Sequence, residues 1–269
     1  MKKTMLSLAL VLMIIFAGYG QAGASALPDQ NRDTIFQVSL LQGLTLGDYH
    51  GSIPVEELKR HGDTGIGTFD GLNGELIMID GEVYRAAGDG SVEVVSDAET
   101  IPFSNVSFLD ADVEKSLNEI PDYTALCTAL NQLVAERGEN RFYMIRIDGT
   151  FREASLRSEY AQEEPYRPLV EVLEHDQTFF DYTDIEGTVV GLYCPSYMSD
   201  LNAVGWHMHF ISADKTKGGH VLGLSVADAT LTWDDADAFQ MLLPQNEMFS
   251  GFDLTVDQSE DIRKVETGS

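Results

Sequence analysis

Residues 204–231 constrain this chain more than any other stretch. Within Val204–Ile211 the apolar Trp206, Met208 and Phe210 alternate with His207 and His209. Successive side chains on a β-strand point to opposite faces, so the apolar set is expected to enter a core while the two imidazoles share the other face. The polar, glycine-rich stretch Asp214–Gly219 then lets the chain reverse, and His220 opens a second strand, His220–Leu231. A third imidazole thereby arrives beside the first two. Three neutral imidazoles suit zinc and leave positions open for water or substrate, which is a catalytic rather than a structural arrangement. An isolated H-x-H is more often a pair of hydrogen-bonded surface histidines, and the third histidine across the hairpin is what favours a metal. Spacing alone does not choose a reaction, because carbonic anhydrases and cupins also use three histidines. The run Phe210–Asp214 lacks the Glu that usually follows H-x-H in a cupin.

Strand patterns dominate elsewhere. Thr34–Leu41 is β-branched and apolar, and Gly74–Ile79 leads through Asp80-Gly81, a two-residue hairpin turn, into Glu82–Arg85. Val55–Arg60 reads as a short helix with Ser52 as N-cap and Pro54 in its first turn. The clearest helix is Tyr123–Arg137, with Leu126, Leu130, Leu133 and Val134 at helical spacing and Gly138 as its stop. Phe142–Ile147 reads as a buried strand closed by Asp148-Gly149, with a second strand, Thr150–Arg157, following at hairpin spacing. Leu169–Leu173 reads as helical, and Gly187–Tyr193 as another strand. The sum is an α+β chain, β-rich, with mixed and antiparallel sheets and few helices. Two domains are expected, 27–149 and a metal-binding 150–269.

Residues 1–26 form a separate unit. Lys2 and Lys3 precede the apolar run Leu6–Ala17, and Ala24-Ser25-Ala26 fits an A-x-A cleavage site. The run is short for a bilayer span of roughly 20 residues, so a cleaved signal peptide and an exported protein without a membrane anchor are expected. The formal charge is −27, from 17 Lys+Arg against 44 Asp+Glu. A surface this acidic repels phosphate backbones and anionic lipids, which argues against nucleic-acid and membrane partners. It also repels an anionic substrate, so a local cation would have to attract one. Cys127 and Cys194 are the only cysteines. Export permits a disulfide between them, but a fold of this size does not need one.

The segment Gly187–Met198, continuing through Asn202, Gly205–Phe210 and Gly218–Leu222, resembles the bacterial alpha-acetolactate decarboxylases. Gly65–Asp70, Gly74–Leu76, Phe142-Tyr143, Asp148–Phe151 and Pro165-Tyr166 agree in order. The resemblance implies zinc ligands at His207, His209 and His220, a site glutamate at Glu75 and a threonine at Thr68. It further implies a substrate-facing arginine at Arg157, with Arg146 and Arg152 as competitors nearby. A second glutamate is implied in the C-terminal tail, at Glu266, with Glu260 reachable by a small shift of alignment. A two-domain subunit, a homodimer and the conversion of acetolactate to acetoin are implied as well.

Those residues suit that chemistry. Loss of CO2 from 2-acetolactate leaves an electron pair that moves into the adjacent ketone, giving an enediolate. A metal chelating the hydroxyl and ketone oxygens would stabilise the developing charge as a Lewis acid. No organic cofactor is needed, since the substrate's carbonyl is the electron sink. Arg157 would pair with the carboxylate through two hydrogen bonds, and Glu75 or Glu266 would supply the proton that completes acetoin. Thr68 would be a hydrogen-bonding wall. Two other classes stay open at this point: a three-histidine metal hydrolase or hydratase, and an exported metal-binding protein without turnover.

Overall fold

Alternating and all-apolar runs make two large sheets in a computed structural model that describes residues 32–267, with side chains as far as Val265. The leader expected at 1–26 lies outside the described residues. In chain order the first half comprises β1 (Thr34–Val38), α1 (Leu41–Thr45), β2 (Ile53–Pro54), α2 (Val55–Leu58), β3 (Thr64–Thr68), β4 (Glu75–Ile79), β5 (Glu82–Ala86), β6 (Val92–Val94), β7 (Thr100–Ile101) and β8 (Ser104–Ser107). There follow β9 (Val113–Ile120), α3 (Tyr123–Arg137), β10 (Phe142–Glu159), α4 (Leu169–His175), β11 (Gln177–Cys194), β12 (Gly205–Ser212), β13 (Gly218–Ala236), β14 (Ala238–Leu242), α5 (Glu247–Gly251) and α6 (Ser259–Thr267). The architecture is thus β-rich with few helices, as the sequence leads one to expect.

One sheet has seven strands in the order β14-β1-β8-β3-β4-β5-β6, antiparallel except for the parallel β1–β14 pair. The other runs β10-β11-β12-β13-β9, and β10 also pairs with β13, so these pairings close into a ring. Ile66 and Ile77 of the first sheet share a core with Val190, Leu192 and Ile211 of the second. A separate cluster under α3 collects Leu126, Leu130, Phe151, Met208, Phe210 and Trp233. Met208 and Phe210 therefore enter the core on the face opposite the histidines, as strand alternation requires.

The helix α3 has the expected bounds. The Asp122 side chain caps it by accepting from the Ala125 N–H at 2.8 Å, worth about 1 kcal/mol. Gly138 ends it at φ +123°, where its N–H reaches the Val134 carbonyl. Asp80-Gly81 is the expected hairpin turn: both residues have positive φ, and Ile79 faces Glu82.

Two local expectations need correction. Asp148-Gly149 is not a turn, because β10 runs straight through it for 18 residues. Gly149 faces Gly187 on one side and Ala229 on the other, and a Cβ there would stand 2.3 Å from the Asp228 carbonyl oxygen. The glycine permits close approach of strands, and a register shift follows it between Thr150 and Phe151. Ser52 does not cap α2, whose N-cap is Pro54 with no side-chain cap. The boundary expected near residue 150 falls within β10, and Asn31–Ser269 form one compact unit. Cys127 and Cys194 are both free thiols. No helix among the described residues is long and apolar enough to cross a membrane.

Candidate active site

Strand register assembles the site. His209 stands opposite His220 across β12–β13, and His220 stands opposite Arg157 across β13–β10. Directly paired residues project to the same face, so one row carries two imidazoles and a guanidinium. His207 lies two residues before His209 and joins that face. On β3 and β4, Thr68 stands opposite Glu75, and this pair faces the row from the other sheet.

The three imidazoles converge, with their candidate ligand atoms all within 4.8 Å of one another. All three residues are buried. The Nε2 atoms of His207 and His209 stand 3.1 Å apart. His209 Nδ1 lies 2.8 Å from the Leu76 carbonyl oxygen. A carbonyl only accepts, so Nδ1 carries the proton, and in the neutral ring Nε2 presents a lone pair. Burial first, and then neighbouring positive charge, hold His209 well below the ordinary histidine range. Burial and Arg157 push His207 down to about 3. Both rings are therefore neutral at physiological pH, the form that ligates metals.

The carboxylate of Glu75 adds an acceptor beside that lone pair, with Oε2 3.2 Å from His209 Nε2. A lone-pair nitrogen and a carboxylate oxygen at that distance need a proton or a cation between or beside them. Two nitrogens each about 2.0–2.1 Å from one tetrahedral ion would be roughly 3.3 Å apart, close to the separation found. The donor set thus fits a divalent ion of the zinc type.

Beside the imidazoles lies a cavity of about 40 Å³ lined by Thr68, Glu75, Arg157, Glu159, His207 and His220. Its remaining wall is apolar, from Leu41 and Leu44 of α1, Leu169 and Leu173 of α4, and Val265 of α6. Thr68 Oγ1 donates to the Gly74 carbonyl at 2.9 Å, which fixes the turn leading into Glu75. Arg157 is 4% exposed, and its Nη2 donates to the Val265 carbonyl at 2.9 Å. The competing arginines are committed elsewhere. Arg146 is bound to Asp148 and Asp80, and Arg152 to the exposed Glu119.

The tail does reach this cavity, through Val265. Glu266 follows in the last turn of α6, and its side chain lies outside the described residues. Glu260 is exposed and paired with Lys264 at 3.1 Å, away from the cavity. Sequence reasoning missed Glu159, which is 2% exposed and lines the cavity. Its signal was available, since it lies one same-face step beyond Arg157. The apolar wall from α1 and α4 was not available, because it depends on how separate helices dock.

The sequence profile of the alpha-acetolactate decarboxylases matches residues 35–256. A relative of that name from Methanosarcina mazei is 38% identical over 240 residues, covering 87% of this chain and 80% of the relative. One from Bacillus subtilis is 34% identical over 239 residues, covering 89% and 92% respectively. The crystal structure of the alpha-acetolactate decarboxylase from Bacillus subtilis strain 168 superposes with a TM-score of 0.84 at 33% identity. That match covers 88% of this chain and all of the other.

Proposed function

Because this chain belongs to the alpha-acetolactate decarboxylase family, we propose that it converts 2-acetolactate to acetoin and CO2 at a zinc ion held by His207, His209 and His220. One observation carries the reading: three buried imidazoles converge to within 4.8 Å, with the Glu75 carboxylate 3.2 Å from His209, beside a cavity that also holds a buried arginine. When bound, the divalent ion supplies Lewis acidity to the hydroxyl and ketone oxygens of the substrate.

The protein's own groups do the rest. Arg157 binds the substrate carboxylate and turns it into the cavity, supplying the local positive charge that an acidic protein otherwise lacks. The C–CO2 bond breaks, its electron pair moves into the ketone, and the resulting enediolate must gain one proton on carbon. Glu75 is the donor favoured by position, since its carboxyl is buried beside the imidazoles at the cavity. Glu266, one residue beyond Val265, is the second candidate. Thr68 braces the wall beside Glu75. The apolar residues from α1, α4 and α6 exclude water and accommodate the two methyl groups of the substrate. No organic cofactor enters this scheme. Export by the 1–26 leader and assembly as a homodimer belong to the same reading.

The test is an acetolactate assay on purified protein before and after chelation, with acetoin and metal content read together. Activity that disappears with the metal and returns with zinc is expected. Bound metal without acetoin would favour a related three-histidine hydrolase or a metal-binding protein, and full activity without metal would overturn the mechanism.

A further inference from the structure

We propose that a small carboxylate reaches the imidazoles through an outer cavity on the far side of Val265, and that Arg157 draws it in by exchanging the Val265 carbonyl for the carboxylate. The decarboxylase reading above supplies the identity of that carboxylate, and the route follows from the shape of the molecule.

The inner cavity is closed. Every described residue that lines it is buried. At about 40 Å³ it holds on the order of three waters, less than an acetolactate molecule requires. A substrate therefore enters only where the wall yields. Thr68, Glu75, Arg157, His207 and His220 lie on β3, β4, β10, β12 and β13, which their hydrogen-bonded neighbours hold in place. The rest of the wall is largely helical. Among the described side chains, α6 gives only Ile262 and Val265 to the core it shares with α1 and α4. An element anchored by so little buried apolar surface opens locally at lower cost than the sheets do.

Beyond Val265 lies a second cavity, of about 190 Å³, whose lining includes Arg157, Val170, Leu173, Glu174, Lys264 and Val265. It shares Arg157, Leu173 and Val265 with the inner one, so these side chains form the partition between the two. Its outer rim meets water, since the Glu174 side chain is 67% exposed and that of Lys264 41%. The larger cleft beside α3 and Trp206 shares no lining residue with the inner cavity.

Charge favours an anion on this route. Arg157 and Lys264 stand against Glu174 in the lining, within a chain whose formal charge is −27. Lys264 shares its charge with Glu260 and Asp261, at 3.1 and 3.5 Å, which leaves Arg157 as the stronger attractor. Arg157 Nη2 already holds an oxygen, the Val265 carbonyl at 2.9 Å. A carboxylate is a better acceptor for a guanidinium than a neutral carbonyl, and it can take two N–H groups at once. An anion arriving in the outer cavity thus displaces the Val265 carbonyl, frees the last turn of α6, and passes between Leu173 and Val265 toward His207 and His220.

The test uses 2-hydroxy-2-methylbutanoate, which keeps the carboxylate and hydroxyl of acetolactate and lacks the ketone that decarboxylation needs. Its Kd on zinc-loaded protein is read by calorimetry, and its association and dissociation rates by NMR line shape of the 13C-labelled compound. An obstructed entrance slows both rates by the same factor and leaves Kd alone, whereas a deformed site changes Kd. Val170→Trp, which fills the outer cavity, should slow both rates about tenfold with Kd within about twofold of wild type. Val204→Trp, in the cleft beside α3, should change neither. Should Val170→Trp fail to fold, Val170→Met, whose flexible side chain adapts to its surroundings, should slow both rates about threefold. Unchanged rates in the Val170 variants, or slowing by Val204→Trp instead, would overturn the proposal, as would a wild-type protein that does not bind the compound. Slowed binding in the Val170 variants, beside a wild type that forms no acetoin, would support the entrance while removing the decarboxylase reading.

Discussion

Arg157 stands directly opposite His220 in the β10–β13 register, so a buried guanidinium and a buried imidazole occupy adjacent places on one sheet face. The register fixes the cation beside the imidazole nitrogens that could hold a metal, without making it one of that group. Arg157→Lys should therefore leave metal content unchanged while lowering kcat/KM by about tenfold to a hundredfold. A lysine keeps the charge and loses the planar two-donor fork. Steady-state kinetics beside metal analysis checks this, and an unchanged kcat/KM would remove Arg157 from substrate binding.

His207→Ala, His209→Ala and His220→Ala should each abolish metal retention and turnover. Binding to the folded state alone stabilises it, so chelation should lower the melting temperature of wild-type protein and leave that of the three variants unmoved. Differential scanning calorimetry with and without chelator reads this directly. Equal shifts in wild type and variants would mean that the metal sits elsewhere.

Removing the residues after Lys264 deletes Val265, which both closes the apolar wall and supplies the carbonyl that receives Arg157 Nη2. The truncated protein should keep its far-ultraviolet circular dichroism and its metal, and lose at least tenfold in kcat. Wild-type turnover by the truncation would exclude the tail, Glu266 included, from the reaction.

Asp234 is 1% exposed on β13, with burial first, and then the charges of Asp112, Asp33 and Asp110, raising its carboxyl to about 7. A carboxyl raised above its unfolded value of 3.8 binds its proton more tightly in the folded state. Its contribution to stability is present below pH 4 and is lost as pH rises through about 7. Asp234→Asn should thus melt several degrees above wild type at pH 8 and show a flatter profile between pH 4 and 8. Identical pH profiles for the two proteins would show that Asp234 does not titrate in this way.

Gly149→Ala should destabilise the fold by about 1–3 kcal/mol, since its Cβ would overlap the backbone of Asp228 and Ala229. Chemical denaturation measures the change, and a loss below about 0.5 kcal/mol would mean that β10 and β13 separate easily there.

The legible parts of this chain are those in which side-chain periodicity and local geometry are the same fact. The histidine row could be read because strand alternation puts His207 and His209 on one face, and a glycine-rich turn returns His220 beside them. Helix α3 could be read because its four buried residues repeat at helical spacing and an Asp and a Gly mark its ends. Asp148-Gly149 misled for a physical reason: a glycine is required both where a chain turns sharply and where two strands approach too closely for a Cβ, and one sequence does not distinguish these uses.

By itself the sequence determined the three imidazoles, their common face and the β-rich class, because each follows from a period of two along a strand. Tertiary structure alone decided the rest. That Glu75 comes to His209, that Leu76 holds the second nitrogen of that ring, and that Val265 closes a cavity over Arg157 all depend on how one sheet packs on the other and where α6 docks. Such contacts join residues more than a hundred positions apart. The free energy that fixes them comes from burying apolar surface between separate elements, a quantity that no local pattern in the chain encodes.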